Sequence, residues 1–345
     1  MRAWLLHPPG DRTGNGRPLS LEEIPDPLPG PGELLVQVSA CGVCHTELDE
    51  IEGRTPPPRY PVVLGHQVVG RVVAAGPVGD ASPTVAIGDR VGVAWIFDAC
   101  GRCELCREGL ENLCPDFRAT GRDANGGYAE LMTVPTPFAH ALPEGIPDVS
   151  VAPLLCAGAI GFRSLRLTAI EDGGRLGMTG FGASGHLMMQ LVRGQMPETD
   201  VFVFARSPEQ RAFALELGAA WAGGPDDRPS VLLDAVVDTT PAWGPVVRAL
   251  EVLRPGGRLV VNAIRKESAD QNRLLELDYA RHLWMEKEIK SVANVTRRDV
   301  SEFLDLAVEL DLAPHVEVYG MEDANRALRE LKEGGGRGAK VLSIG

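Results

Sequence analysis

The sequence predicts an α/β protein in which a mostly β domain is joined to a doubly wound parallel sheet. The chain has 345 residues, more than one hydrophobic core usually holds, so we expect two domains. Residues 1–150 are rich in proline, glycine and short β-branched runs, which favours strands separated by turns. From about Val151, strand patterns alternate with helix patterns, and this alternation requires parallel strands joined by right-handed crossovers.

The individual elements follow from local patterns along the chain. In the first domain, strands are predicted at Glu33–Ala40, Pro61–Leu64 and Gly70–Ala75. In the second domain, they are predicted at Leu176–Thr179, Val201–Phe204, Leu232–Val237 and Arg258–Val261. One helix is expected to begin with Ser207 as N-cap and Pro208 as its first residue, and to stop at Gly218. Other helices are predicted at Pro245–Leu253, Ser301–Glu309 and Asp323–Lys332, and a final strand at Lys340–Ile344.

The composition is that of an ordinary globular protein, with 44% hydrophobic and 23% charged residues. A net charge of −13 and a pI near 5.1 argue against a nucleic-acid groove or an anionic membrane surface. The first apolar residues are interrupted at His7, too early for a signal peptide, and no apolar run approaches a membrane span. We therefore expect a cytoplasmic protein with reduced thiols and with no nucleic-acid or membrane partner.

Four of the seven cysteines, Cys100, Cys103, Cys106 and Cys114, lie within fifteen residues. A closed set of four thiolates on one ion is typical of structural zinc. An iron–sulfur cluster is one alternative, although the last gap in the bacterial ferredoxin motif is three residues and here it is seven. Buried or disulfide-bonded cysteines are another, which the cytoplasmic expectation disfavours. The spacing therefore predicts a structural zinc site.

A glycine-rich turn, Gly-Phe-Gly-Ala-Ser-Gly, lies between the first predicted strand of the second domain and an apolar helix. In this context Gly180, Gly182 and Gly185 match the GxGxxG fingerprint of Rossmann domains that bind dinucleotides. The first glycine permits the tight turn, the second lets backbone approach a pyrophosphate, and the third allows close helix packing. Ala183 and Ser184 open the helix, whose free N–H groups face the anion. The alternative is a glycine-rich turn without a ligand.

The end of the second strand indicates which dinucleotide is bound. An acidic residue at this position would hold the ribose hydroxyls of NAD, but the chain has Ala205, Arg206 and Ser207 there. No carboxylate repels a 2′-phosphate, and the guanidinium is placed to pair with one. We therefore predict a preference for NADP. The alternative is that Arg206 is a solvated loop charge.

Three further segments carry a resemblance to a known family: Cys41–Leu48 (CGVCHTEL), Gly65–Gln67 (GHQ) and Ala152–Gly158 (APLLCAG). With the four-cysteine segment and the glycine-rich turn, they resemble the zinc-dependent medium-chain alcohol dehydrogenases over essentially the whole chain. The resemblance is closest to the yeast-like and cinnamyl-alcohol-like bacterial branch. It implies a GroES-like catalytic domain over 1–152 with a zinc lobe at about 98–116, a Rossmann domain over 153–290, and a return to the catalytic domain over 291–345.

The resemblance also implies roles for single residues. It implies a catalytic zinc held by Cys44, His66 and Cys156, with a fourth position open to water or substrate. Other implied roles are proton acceptor for Thr46, pyrophosphate contact for His45, hydrogen-bond partner of the ligand histidine for Glu47, and substrate pocket for Thr55 and Trp95. Cys41 matches no ligand position and is expected to be a buried free thiol.

Three residues depart from the family pattern. Glu47 is one methylene longer than the usual aspartate, Asp49 stands where a histidine commonly ends the proton relay, and Gln67 replaces a glutamate. Because two thiolates cancel the charge of zinc, losing the carboxylate at position 67 should favour an anionic alkoxide on the metal. We expect Asp49 to serve as the terminal proton acceptor if it is connected to solvent.

The predicted function is the interconversion of primary alcohols and aldehydes by hydride transfer, with NADP preferred over NAD. The family likeness implies two zinc ions per subunit, a small-molecule substrate and a homodimer or homotetramer. One alternative is a reductase of the same superfamily that acts on another carbonyl or a conjugated double bond without catalytic zinc. The other is a cofactor-binding protein that has lost its catalytic activity.

Overall fold

The computed structural model describes residues 1–11, 17–77, 85–142, 144–334 and 337–345. Its strands are β1 (Arg2–Leu6), β2 (Leu19–Glu23), β3 (Glu33–Val43), β4 (Val62–Val63), β5 (Val68–Ala75), β6 (Arg90–Val93), β7 (Ile96–Asp98), β8 (Arg118–Ala119), β9 (Leu131–Pro135), β10 (Ala139–Ala141), β11 (Arg175–Thr179), β12 (Asp200–Phe204), β13 (Trp221–Gly223), β14 (Leu233–Asp238), β15 (Leu253–Val261), β16 (Glu288–Ser291), β17 (Val316–Gly320) and β18 (Ala339–Ser343). Its α-helices are α1 (His45–Ile51), α2 (Glu104–Arg107), α3 (Asp148–Val151), α4 (Ala157–Thr168), α5 (Ala183–Gln195), α6 (Pro208–Glu216), α7 (Gly244–Val252), α8 (Arg297–Glu309) and α9 (Ala324–Glu333).

The chain forms two compact units. The first contains Met1–Cys156, Val295–Val308 and Ala313–Gly345, and the second contains Ala157–Asn294 and Glu309–Leu312. The first unit is mostly β and the second alternates strands with helices, so the predicted α/β class is confirmed. The domain boundaries derived from the resemblance stay a prediction.

The main sheet of the first unit has the order β10-β6-β5-β3-β18-β17, and β9 also pairs with β3. Along β3, Leu34, Val36 and Val38 are buried, which is the alternation of a strand with one face in the core. The strand runs on to Val43, three residues beyond the predicted end, because β5 and β18 both pair with this segment. The Cys-Gly step there lacks the β-branched pattern on which the prediction relied.

The second unit contains a parallel sheet of order β13-β12-β11-β14-β15-β16. Its central strands are buried almost throughout, as expected where helices cover both faces of a sheet. The strand order reverses between β11 and β14, and ligands of doubly wound folds bind at the carboxyl ends beside such a reversal. The predicted doubly wound sheet is confirmed.

The helix after β12 begins as the sequence predicts. Ser207 is the N-cap and its hydroxyl oxygen accepts a hydrogen bond from the backbone N–H of Gln210 at 3.3 Å. Pro208 is the first helical residue, and Gly218 follows the helix with a left-handed φ of 98°. The ends of this helix are thus set by local sequence.

One helical stretch, Asp148–Thr168, is long and apolar enough to cross a membrane by length and composition, with 21 residues and mean hydropathy 1.3. From the sequence we expected no apolar stretch of this length. In the described residues 67% of its most apolar part is buried inside the protein, as is typical of a core helix.

Candidate active site

Three metal-ligand candidates from distant parts of the first unit come together. Cys44 follows β3 directly, His66 lies just before β5, and Cys156 follows the 3₁₀ turn Ala152–Leu155. One possible ligand atom from each side chain lies within 4.8 Å of the others, and His66 Nε2 is 3.3 Å from Cys156 Sγ. The β3–β5 pairing explains part of this convergence, since the Gly42 N–H donates to the Gln67 carbonyl at 3.0 Å and extends the ladder towards Cys44 and His66.

The donor set suits a metal with an open position. Two sulfurs and one imidazole nitrogen are the ligands of a Cys₂His zinc site, and three protein ligands leave a fourth position free. The pKa of Cys44 lies well below its ordinary value because Cys156 and His66 stabilise its thiolate. The pKa of Cys156 is raised by its hydrogen bond to Cys44 and by burial. A metal at this position would bind both sulfurs as thiolates.

Glu47 orients the histidine of this group. Its Oε1 lies 2.5 Å from His66 Nδ1, and its Oε2 accepts a hydrogen bond from the Cys44 N–H at 2.8 Å. With Nδ1 engaged by the carboxylate, Nε2 is left for the metal position. Burial acts to lower the pKa of His66, but the charge of Glu47 and the Cys44 sulfur together hold it well above its usual value. The extra methylene of Glu47 therefore still allows the contact with His66.

Thr46 and Gln67 flank the ligands. The Thr46 hydroxyl oxygen is 3.6 Å from Cys44 Sγ, so this hydroxyl lies beside the metal position. Gln67 is 3% exposed, and its side chain covers Gly42, where an added Cβ would lie 2.6 Å from the amide carbon. His45 is exposed at the start of α1.

Asp49 has a different environment from Glu47. It is 7% exposed, and its Oδ1 lies 2.5 Å from Arg54 Nε. The backbone N–H groups of Arg54 and Thr55 also donate to its carbonyl, at 2.8 and 3.1 Å. The expected proton acceptor is thus an ion-paired carboxylate.

The two residues expected in the substrate pocket both carry buried polar atoms. Thr55 Oγ1 and Trp95 Nε1 have no hydrogen-bond partner among the described residues. The β5–β6 pairing ends at Val68 and Val93, two residues from His66 and Trp95 respectively. The indole of Trp95 packs against Phe117, with ring centroids 5.3 Å apart.

Glu50 is a residue of this site that sequence reasoning missed. It lies one helical turn after Glu47 on α1, is 1% exposed, and neither carboxylate oxygen has a partner in the described structure. Burial, and then the charge of Glu47, raises the pKa of Glu50 well above its usual value. The three-residue spacing from Glu47 was the available signal, because it places both carboxylates on one helix face.

The four-cysteine segment forms a second metal-ligand group. The sulfurs of Cys100, Cys103, Cys106 and Cys114 all lie within 4.8 Å of one another. Backbone N–H groups point at three of them, for example that of Cys103 towards Cys100 Sγ at 3.3 Å. Hydrogen bonds from the Arg102 and Cys103 backbone lower the pKa of Cys100 to about 6, whereas burial raises that of Cys106 to about 12. All seven cysteines are free thiols, and four thiolates this close suit one tetrahedral ion.

The glycine-rich turn lies in the second unit, at the carboxyl end of β11. Gly180 has a φ of 81°, and a Cβ there would lie 2.7 Å from Thr239 Oγ1, so the turn requires glycine. Gly182 is the N-cap of α5, and a Cβ added there would meet no atom within 4 Å. Ala183, Ser184 and Gly185 form the first turn of that helix. This open approach to a helix N-terminus suits a pyrophosphate.

The residues expected to select the dinucleotide follow β12 in the same unit. Ala205 is buried, and its N–H donates to the Gly223 carbonyl at 2.9 Å. Arg206 is exposed, and its guanidinium makes no ion pair within the described residues. Ser207 is occupied as the N-cap of α6.

Comparison with known proteins places this geometry in a family. The family model described as the alcohol dehydrogenase GroES-like domain matches residues 30–144, and the one described as zinc-binding dehydrogenase matches residues 227–342. The chain is 44% identical to a protein of Mycobacterium tuberculosis (strain CDC 1551 / Oshkosh) named probable alcohol dehydrogenase AdhA, over 100% of this chain and 97% of that protein. It is 32% identical to the alcohol dehydrogenase of Geobacillus stearothermophilus, over 94% and 96%. A solved cinnamyl alcohol dehydrogenase of Sorghum bicolor superposes with a TM-score of 0.83 at 29% identity, over 99% and 97% of the two chains.

Proposed function

The chain belongs to the zinc-binding, medium-chain alcohol dehydrogenases, and on that premise we propose that it interconverts primary alcohols and aldehydes with NADP as the preferred cofactor. As a member of this family it is an NAD(P)-dependent alcohol dehydrogenase with small-molecule substrates. The observation that carries the proposal is the convergence of Cys44, His66 and Cys156 within 4.8 Å. A panel of primary alcohols assayed with NADP and with NAD, alongside zinc analysis, tests it. Failure to oxidise any primary alcohol faster than a Cys44→Ala variant would refute it.

We assign two zinc ions to each subunit. One is held by Cys44, His66 and Cys156, where it would supply the Lewis acidity that lowers the pKa of an alcohol. The other is held by the four-cysteine group, which offers no open position and serves the fold. One zinc per chain in the purified protein would instead favour a reductase without a catalytic metal.

The side chains around the first metal position handle the proton. Glu47 keeps the proton of His66 at Nδ1, which fixes the tautomer that presents Nε2 to the metal. The Thr46 hydroxyl, 3.6 Å from Cys44 Sγ, accepts the proton of the substrate hydroxyl while it donates its own proton onward. Asp49, three residues further along α1, is the terminal acceptor of this proton. The nicotinamide cofactor supplies the hydride acceptor.

Asp49→Asn is expected to slow alcohol oxidation by about tenfold, because the amide cannot accept the proton. The pH–rate profile should also change in the same variant, which a purely structural role would not cause. Arg54→Gln is the matched control, since it removes the ion pair of Asp49 but keeps the carboxylate. Unchanged turnover together with an unchanged pH–rate profile in Asp49→Asn would disprove the relay role.

The NADP preference rests on the three residues after β12, Ala205, Arg206 and Ser207, none of which is acidic. Arg206 is exposed and makes no ion pair within the described residues. Arg206→Ala is expected to lower kcat/KM for NADP by about tenfold or more, because the 2′-phosphate loses a charge-assisted hydrogen bond. The same variant should keep its kcat/KM for NAD, which serves as the internal control. Faster turnover with NAD than with NADP in the wild type, at equal low concentrations, would contradict the preference.

We further propose that the enzyme is a cytoplasmic homo-oligomer that associates through the second unit. Strand β16 lies at the end of the described sheet order, all its residues are exposed, and Trp284 and Met285 beside it are 56% and 53% exposed. An uncovered edge strand next to exposed apolar side chains is a surface that proteins usually cover. Ile289→Asp should therefore yield a smaller species in analytical ultracentrifugation. A wild-type mass of one chain would contradict the proposal.

A further inference from the structure

A dinucleotide bound to the parallel sheet of the second unit would place its two nucleotides on opposite sides of the strand-order reversal. With the pyrophosphate at Gly182, beside the reversal between β11 and β14, the two nucleotides extend to opposite sides of that point. Arg206 at the end of β12 marks the adenosine side. The nicotinamide riboside half must then face the carboxyl ends of β14, β15 and β16.

Two asparagines lie at these ends with buried amide groups. Asn262 directly follows β15, and Asn294 lies three residues after β16. The Nδ2 atom of each is buried and has no hydrogen-bond partner among the described residues. Buried amide donors are almost always paired in proteins, so two orphan donors at one sheet edge indicate a missing acceptor.

The backbone holds both residues in place. The Asn262 N–H donates to the Asp238 carbonyl at 2.7 Å, and the Val292 N–H donates to the Val261 carbonyl at 3.0 Å. Asn294 has a φ of 60°, in the left-handed region, which asparagine adopts more readily than most residues other than glycine.

The neighbouring polar groups at the end of β14 already have partners. The Thr239 hydroxyl donates to the Thr179 carbonyl at 2.8 Å, the Thr240 hydroxyl donates to Asp238 at 2.8 Å, and Lys266 pairs with Asp238. The two asparagine donors therefore differ from these three side chains, whose donors have partners.

We propose that Asn262 and Asn294 are cofactor-binding residues whose side-chain N–H groups donate hydrogen bonds to oxygen atoms of the nicotinamide riboside half. These oxygens are the ribose hydroxyls and the carboxamide carbonyl, both of which accept such bonds. The inference rests on the proposed function. It adds to the glycine-rich turn and Arg206 the residues that hold the reactive end of the cofactor.

The test uses Asn262→Ala and Asn294→Gly, the second because glycine tolerates the left-handed φ. Calorimetric titrations compare NADPH with 2′-phospho-ADP-ribose, which lacks the nicotinamide, and with 2′,5′-ADP, which also lacks the second ribose and the phosphate attached to it. Each variant should bind NADPH about tenfold more weakly and 2′,5′-ADP as the wild type does. Weakened 2′-phospho-ADP-ribose binding would assign the acceptor to the ribose, and unchanged binding to the carboxamide. If NADH binds more tightly than NADPH, the series becomes NADH, ADP-ribose and ADP.

Asn272→Ala is the matched control, because it removes an exposed amide from the same unit. The inference is overturned if both variants bind the intact dinucleotide within twofold of the wild type. It is also overturned if the truncated ligand without ribose is weakened equally, since that would indicate general damage to the unit. A wild-type protein that binds neither NADPH nor NADH would instead refute the proposed function.

Discussion

Cys156→Ser is expected to reduce the zinc content from two ions to one per chain and to lower alcohol turnover by at least about a thousandfold. The group that holds this metal has only three donors, and a serine hydroxyl replaces one of its two thiolates. With two good ligands left, the site loses both its affinity and the Lewis acid on which the proposed chemistry depends. Metal analysis and steady-state kinetics on the same preparation measure both effects.

Cys41→Ser is the control for this variant. Cys41 is a fully buried thiol in the same sheet, but it belongs to neither metal-ligand group in the described residues. This change should keep two zinc ions per chain, and turnover should stay near that of the wild type. Retention of both zinc ions and of activity in Cys156→Ser would show that the three side chains do not share a metal.

Cys103→Ser in the four-cysteine segment should lower the stability of the protein and keep most of its turnover. The regular structure of the segment is limited to a single-turn α-helix, Glu104–Arg107, which has no buried residue, and a 3₁₀ turn, Glu111–Leu113, so we expect the metal to supply much of its order. We expect the melting temperature to fall by about 10 °C, corresponding to a loss of several kcal/mol in the free energy of unfolding. Differential scanning calorimetry measures the shift.

The same variant should keep its remaining zinc ion and most of its turnover at low temperature, because the other ligand group is intact. Arg102→Ala is the matched control, since it changes an exposed side chain within the segment and leaves all four sulfurs. An unchanged melting temperature in a Cys103→Ser protein that has lost one zinc ion would contradict a structural role for this metal.

Local sequence was sufficient to predict much of this protein. The alternation in β3, the glycine requirement at Gly180 and the N-cap at Ser207 are all encoded within a few residues. The convergence of Cys44, His66 and Cys156 needed the family resemblance, because no spacing rule links residues so far apart.

Other features depend on tertiary packing and could not be predicted. Nothing in the sequence indicates that Asp49 pairs with Arg54. The spacing of Glu50 from Glu47 places both on one helix face, but it does not indicate that the Glu50 oxygens are buried without a hydrogen-bond partner among the described residues. The sequence also gave no reason to single out the asparagines near the ends of β15 and β16. Whether an amide has a hydrogen-bond partner can be judged only when its surroundings are known.

The pairing of β18 with β3 has a consequence for how the enzyme is made. Lys340 and Val341 lie opposite Val43 and Gly42, immediately before the first metal-ligand candidate. A ribosome releases Cys44 long before it has translated the residues that complete this part of the sheet. The nascent chain must therefore carry an unfinished binding site through most of its synthesis, and the sheet around that site closes only after Ala339–Ser343 has emerged.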